Sequence, residues 1–486
     1  MKYPLFVNQA YKSQSPVADD ERTVNWYPER MESQGAITQM ALYPTPGVAT
    51  FVTVTEGSAG RGAFALGGRC FFVVGAKLIE VFVTNTYLVR GTVAQDGNPA
   101  TFSSNGDGGN ELFISSGGVG YAYDLLTNTL TTEIASDCTM TGMSYGFFQY
   151  LDLVTSRFYI SDLFDGTTWD ALQFAANSIT PDSWKALLTT TYGQTWLLGE
   201  QSGQVWFNNG ASPFPYALDP SGLIPYGIAA TFSVQEAAES VTWLATTKDG
   251  DLQVISALGF RPQRISDYAL EFALSQYGTV SDAQGETYRD GGHTFYVLSF
   301  PTEGKTWVYD FTTQLWHERG TWISEDNAYV AWRPSWHAYA FGKHLWCDRE
   351  SGLIYEVSSA LSVDAGSRPL RRIRRSPGVV NNGQYVRFQT LEVVLEPGLG
   401  LQSGQGSDPQ ILLRLSDDGG KTWSNERSQS AGKVGQYRTR VVFRRLGVSR
   451  HRVFEIAVSD PIPWRILDAY VDASGADTGV PQQGAA

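Results

Sequence analysis

Short β runs recur down the middle of the chain at a nearly constant interval. FFVVG (71–75), LFISS (112–116), FYISD (158–162), TWLLG (195–199), TWLAT (242–246), FYVLS (295–299) and HLWCD (344–348) start 41, 46, 37, 47, 53 and 49 residues apart. A Gly-rich or polar turn leads from these runs into second ones such as GYAYD (120–124), QVWFN (204–208), TWVYD (306–310) and LIYEV (353–357). A repeat of about 40–50 residues holding several strands is the pattern of a propeller blade. Radial stacking also protects sheet edges that isolated sheets of this kind leave open. The expectation is an all-β fold, with a β-propeller of six or seven blades over residues 51–360.

The flanks break this period. Residues 1–50 hold VNWYPER (24–30) and ALYPTPG (41–47), extended and Pro-punctuated, and read as an N-terminal arm that packs with the C-terminal domain. Residues 361–475 hold VRFQTLEVVLEP (386–397), ILLRLS (411–416), TRVVFRRL (439–446) and RVFEIAVS (452–459), which alternate apolar and polar residues as half-buried antiparallel strands do. They predict a separate β-sandwich-like platform domain. Residues 476–486 read as a flexible tail. Helical turns are expected only at PDSWKALL (181–188) and DYALEFALSQY (267–277).

Composition agrees with many short strands and tight turns: the 486 residues include 50 Gly, 24 Tyr and 14 Trp. No apolar run approaches the roughly 18 residues of a membrane helix, and MKYPLFVNQAYKSQS lacks the pattern of a secretory signal. Cys70, Cys138 and Cys347 are widely separated and odd in number, so they read as buried free thiols of a reducing compartment. The net charge of −13 is unevenly spread. Residues 368–470 carry 17 Lys and Arg against 9 Asp and Glu; the remainder carries 19 against 40. An acidic body thus bears a basic C-terminal part, which bears on partners rather than on fold.

Motifs of catalysis and metal binding are weak. GMSYG (142–146) matches the nucleophile elbow Gly-x-Ser-x-Gly, but that elbow needs a strand-to-helix turn among alternating βα units, which this β-rich region lacks. The five histidines (His293, His317, His337, His344 and His451) show no HExxH spacing and no neighbouring Cys pair. NGDGGNE (105–111) lacks the alternating oxygen ligands and closing Glu of a calcium loop and reads as a hairpin turn. No catalytic, metal or cofactor residue is expected.

Two stretches of the basic part stand out. RPLRRIRR contains Arg368, Arg371, Arg372, Arg374 and Arg375. Such a run reads as a solvated connector, a contact with a neighbouring subunit, or a grip on DNA phosphate; the guanidinium fork suits carboxylate and phosphate alike. LSDDGGKTWSNER (415–427) places Ser416, Asp418, Gly420, Thr422 and Trp423 in an order that resembles the Asp box of sialidases and related propeller enzymes. There the box recurs once per blade, away from the active site. Here it stands once, outside the repeat, with DGTTW (165–169) a partial echo. It predicts a hairpin turn in which Asp418 accepts backbone N–H groups, Gly419 and Gly420 take positive φ, and Trp423 packs beneath.

Longer blocks carry a more specific likeness. ISDLFDGTTWDALQFAANSITPDSWKALL (160–188), WLLGEQSGQVWFNNGASPFPYA (196–217), GGHTFYVLSFPTEGKTWVYDFTTQLWHERG (291–320) and the opening VNWYPER…ALYPTPG succeed one another in order and spacing. Together they resemble the tail hub, or nozzle (packaged-DNA stabilisation), proteins of short-tailed (podovirus) bacteriophages, over roughly residues 20–360. The resemblance implies a non-enzymatic virion protein of the viral tail, assembled in the host bacterial cytoplasm. It implies a homo-hexamer beneath the portal and its adaptor (the head-to-tail connector ring), with a tail needle, plug or tip protein at its far end and tail fibres or spikes as neighbours. The ring extends the channel through which double-stranded DNA passes without sequence-specific binding, and helps retain packaged DNA until ejection. On that reading the arginine run is a candidate subunit or adaptor interface. The alternative is a receptor-binding or glycan-hydrolysing propeller of the tail, suggested by the Asp box and by the aromatic stretch WHERGTWISEDNAYVAWRPSWHAY (316–339).

Overall fold

The computed structural model describes residues 5–32, 38–106, 108–177 and 179–475. It divides into two compact units: residues 48–306 with 331–358, and residues 1–47 with 307–330 and 359–486.

The first unit is a succession of sheets taken in chain order. Gly60–Leu66, Arg69–Val74, Lys77–Val81 and Tyr87–Thr92 make one antiparallel sheet. Equivalent four-stranded sheets begin at Thr101–Ser104, Met140–Ser144 and Trp184–Thr189, and a five-stranded one at Gly227–Ile228. The hairpin of Gln284–Asp290 and His293–Phe300 stands next. The last sheet joins Pro334–Ala340, Lys343–Asp348 and Leu353–Ser358 to Gly47–Thr53 from the front of the chain. Seven successive sheet positions result among the described residues, and the last is completed by a strand from far back in the sequence.

Tight turns make such sheets possible. Gly67 and Gly68 (φ 56° and 77°) and Gly291 and Gly292 (φ 59° and 88°) form two-residue links whose left-handed backbone matches the strand twist. Strands of neighbouring sheets face one another. Ser103 and Thr141 share a hydroxyl hydrogen bond of 2.7 Å, the Met143 N–H donates to Thr189 Oγ1 at 3.2 Å, and Gln235 Nε2 donates to the Gly285 carbonyl at 2.9 Å. Between the sheets lie buried aliphatic and aromatic residues, with Trp184, Trp196 and Trp243 at 1%, 1% and 0% exposure. Burying a large apolar side chain contributes about 1.5–3 kcal/mol, so each inter-sheet layer stabilises the unit substantially. All three cysteines are free and buried, and burial pushes the thiols of Cys70 and Cys138 up to about 12.

Helix is rare, as the sequence predicts, but only one of the two expected turns forms. Tyr268–Ser275 is helical, with Asp267 capping the Leu270 N–H at 2.8 Å. PDSWKALL instead feeds the strand Trp184–Thr189.

The second unit is a two-sheet sandwich. One sheet runs Leu315–Arg319, Thr23–Val24, Arg372–Arg375, His451–Val458, Gln410–Ser416, Arg427–Ser430. The other runs Trp26–Arg30, Met40–Pro44, Ile466–Gly475, Val386–Leu395, Val441–Ser449. Their inner faces meet in a core that includes Phe388, Leu391, Ile411, Leu413, Phe454 and Trp464, joined by Leu5, Phe6, Trp26 and Leu42 of the N-terminal segment. That segment therefore supplies strands and core to this sandwich. Residues 307–330, which the repeat assigns to the propeller, fall within this unit, where Val24 pairs in parallel with Glu318. The tail at 476–486 lies outside the described residues.

Candidate functional site

The single Asp-box stretch links Gln410–Ser416 to Arg427–Ser430, which pair antiparallel. Ser416 donates its hydroxyl to Asp418 Oδ1 at 2.7 Å and accepts the Gly420 N–H at 2.8 Å. Asp418 Oδ1 also accepts the N–H groups of Lys421 (3.0 Å) and Thr422 (2.9 Å), and Oδ2 accepts the Thr422 hydroxyl at 2.5 Å. The Thr422 hydroxyl and N–H, with Ser416, hold the Asp418 carboxyl far below the usual carboxylate range. Gly419 and Gly420 have φ of 74° and 89°, a backbone that side chains rarely adopt. Trp423 Nε1 donates to the Gly420 carbonyl at 3.0 Å. DGTTW repeats the device in the propeller unit: Asp165 accepts the Thr167 N–H at 2.8 Å, and Trp169 Nε1 donates to the Gly166 carbonyl at 2.8 Å.

The turn is tied to the N-terminal segment. A Cβ at Gly420 would lie 2.1 Å from Asp20 Oδ2, and one at Gly419 would lie 2.8 Å from Val17 Cα, so only glycines let the segment pass this closely. Asp20 accepts Arg375 Nη1 at 2.8 Å. Arg375 Nε donates to Glu455 at 2.6 Å, and Arg414 Nε reaches the same carboxylate at 2.9 Å. Both guanidinium groups lie over the Trp423 ring, 4.8 and 5.4 Å from its centroid. Burial alone would raise the Glu455 carboxyl; Arg375 and Arg414 outweigh it and hold Glu455 below its ordinary value. Turn, arginines and N-terminal segment thus form one network.

The arginine run is a strand within the sandwich. Arg372 and Arg374 are 0% exposed, packed inside their own chain. Arg374 donates to the Phe6 carbonyl (2.7 Å), Thr23 Oγ1 (3.1 Å) and Glu21 (2.5 Å). Burial works against charge on both partners, raising Glu21 and lowering Arg374, and these hydrogen bonds oppose it. Arg372 fares differently: its Nε and Nη2 find no acceptor, it lies 5.8 Å from the Trp26 ring, and burial lowers it to about 9. Arg371 pairs with Glu426 at 2.7 Å and covers Trp322. Arg368 alone of the five has an exposed side chain.

Sequence reading passes over Asp20, Glu21 and Glu455, the partners of this run. The signal was the acidic DDE at 19–21 facing a basic strand in the same domain pairing. It also passes over a second set of arginines, Arg387, Arg427, Arg444 and Arg445, whose signal is the Arg-Arg-Leu-Gly interruption of strand alternation at 444–447.

Elsewhere the chemistry is structural. Ser144, the centre of GMSYG, exchanges hydrogen bonds with Tyr216 (2.8 Å) and Gln149 (3.0 Å). His337 and His344 share a 2.9 Å nitrogen contact. Burial, helped by His344, lowers His337 to about 3. Burial raises Glu286 to about 8, although the backbone N–H groups of His337 and Thr287 favour its charged form. Among the described residues no group of three or more His, Cys, Asp or Glu is placed to hold a metal ion, and no helix is long and apolar enough to cross a membrane.

Comparison with known proteins gives a direct answer. Residues 1–362 match the family model described as bacteriophage P22 Gp10, β-propeller, and residues 371–474 match that described as bacteriophage P22 Gp10, β-sandwich. No curated protein sequence matches the chain. Solved structures similar to it include virginiamycin B lyase from Staphylococcus aureus (7% identity, 64% of this chain and 98% of that one, TM-score 0.42). The WD40 propeller domain of Doa1 (9%, 64% and 97%, 0.40) and the N-terminal domain of Nup159 (10%, 70% and 99%, 0.39) are others. Likenesses this slight say nothing of activity. The chain belongs to the bacteriophage P22 Gp10 family through both its β-propeller and its β-sandwich, and is a structural protein of a phage tail.

Proposed function

We propose that the chain is the repeating subunit of a six-membered tail hub, or nozzle, beneath the portal and its adaptor ring. The ring extends the DNA exit channel and helps retain packaged DNA until ejection, with a needle, plug or tip protein at its far end. It acts without turning over a substrate. The observation that carries this reading is the match of both halves of the chain, in succession, to one phage protein family. Physical chemistry is consistent with it. Propeller sheets completed by a strand from the front of the chain make a rigid wall without open ends. A net charge of −13 disfavours retention of a polyanion, as a conduit requires. The Asp box, which suggested glycan hydrolysis, has its carboxylate occupied by its own turn.

The test is complementation of a phage lacking this chain. Virions assembled without it should lose their DNA, and supplying the chain should restore retention. Retention of the genome in its absence would contradict the reading.

A further inference from the structure

Two groups of arginines stand out in the sandwich unit. Arg371, Arg374, Arg375, Arg414, Arg440, Arg452 and Arg465 each hold a carboxylate of their own chain. Like Arg368, Arg438 and Arg450, Arg387, Arg427, Arg444 and Arg445 are exposed with no carboxylate partner among the described residues, and these last four lie together. Arg387, Arg444 and Arg445 line a depression of about 510 Å³, and Arg427 and Arg444 line an adjoining one of about 420 Å³.

The backbone is bent to produce this arrangement. The pairing of Val386–Leu395 with Val441–Ser449 slips between Phe388 and Thr390. Opposite the slip, Arg445 has φ 58° and Gly447 φ 84°. A non-glycine residue in that region costs on the order of 1 kcal/mol or more, and a bulge re-aims the side chains around it. Here it turns the consecutive Arg444 and Arg445 both outward, where strict alternation would bury one of them. Arg427 Nη2 donates to the Arg444 carbonyl at 2.6 Å, which ties the edge strand of one sheet to the edge strand of the other. A single charge suffices to blunt an exposed edge; four unpaired arginines around two hollows form a surface shaped for anions.

We propose that this surface is covered by carboxylates of a second copy of the chain, making it the copy-to-copy contact of the ring; the inference rests on the ring reading above. Charge points to that occupant. Residues 368–470 carry an excess of 8 positive charges, and the remainder of the same chain an excess of 21 negative ones. A head-to-tail contact that closes a ring joins two different patches of one chain, and such patches need opposite character. Hollows receive protruding Asp and Glu side chains, for which the bidentate guanidinium fork is suited. The same fork would also take a phosphate, but the acidic body of the chain repels a duplex.

The test uses assembled tails. The chain, carrying the photo-crosslinker benzoylphenylalanine in place of the exposed Gln389 in the larger hollow, is supplied to a phage lacking its own copy. Irradiation should join one copy to another, at a peptide rich in Asp and Glu. Adding Arg387→Glu, Arg444→Glu and Arg445→Glu should abolish that product while the purified variant keeps the melting temperature of the parent. A cross-link to DNA, a cross-link to a different tail protein, or no cross-link in tails that contain several copies would overturn the inference and leave the ring standing. Tails containing a single copy would remove the ring reading itself.

Discussion

Glu21 and Arg374, 353 residues apart in sequence, form an ion pair at 2.5 Å whose side chains are 6% and 0% exposed. It stands in the sandwich unit, where the N-terminal segment enters the fold. Removing one partner strands the other charge in a medium that solvates it poorly. Glu21→Ala or Arg374→Met should therefore cost about 3–5 kcal/mol, read from urea unfolding followed by tryptophan fluorescence. A loss below about 1 kcal/mol, typical of an exposed pair, would show that the pair is solvated.

Arg372, two residues before, should respond with the opposite sign. It is equally buried but has no carboxylate partner at hydrogen-bond distance, and two of its nitrogens lack acceptors. Arg372→Met removes a desolvated charge and gives up only the long contact of its Nη1 with the Leu370 carbonyl, 3.4 Å. The expected result is unchanged stability or a gain of up to about 4 kcal/mol, measured in the same denaturation. A loss equal to that of Arg374→Met would contradict the description of the site.

The Asp-box turn is a structural joint, so its variants should change stability in a particular order. Asp418→Ala removes the acceptor of two N–H groups and two hydroxyls and should lower the melting temperature; Asp418→Asn, which keeps one oxygen, should lower it less. Gly420→Ala should also destabilise, since the added Cβ meets Asp20 at φ 89°. Calorimetry on the full chain decides this. An Asp418→Ala chain with the parent's melting temperature would remove the structural role.

Stability of the propeller unit should fall towards both acid and alkali. Glu286 keeps its proton up to about 8 in the fold, against an ordinary 4.5, so its contribution is full below 4.5 and is lost as pH rises through about 8. His337 stays neutral down to about 3, against 6.5, so its contribution is full above 6.5 and is lost as pH falls through about 3. Melting temperatures measured from about pH 5 to about pH 9 should fall on the alkaline side in the parent and stay flatter in Glu286→Gln. Equal slopes in both would contradict a protonated Glu286.

The propeller was legible because its strands announce themselves locally: runs such as FFVVG and TWLLG are apolar on both faces and end in glycine. PDSWKALL misleads because Pro-Asp-Ser before an apolar stretch imitates a helix start. In the fold Asp182 caps no helix; it accepts the N–H groups of Glu200, Gln201 and Ser202 in a neighbouring turn. The Asp-box geometry follows from five residues close in sequence, so its spacing suffices to predict a turn. What the turn is for depends on Asp20 and Arg375, each remote from it in sequence. The arginine run misleads for the same reason: RPLRRIRR reads as surface until Glu21, Phe6 and Thr23 close over Arg374. Arg387, Arg427, Arg444 and Arg445 are brought together only by a bulge and two sheet edges.

The central claim is that this chain forms the wall of the tail channel. An electron cryo-microscopy reconstruction of the virion tail, with density assigned to this chain by fitting its propeller and sandwich separately, tests it most directly. Six copies around the tail axis, surrounding the DNA path below the adaptor, are predicted. Density for the chain only at the tail periphery, or as a single copy, would contradict it.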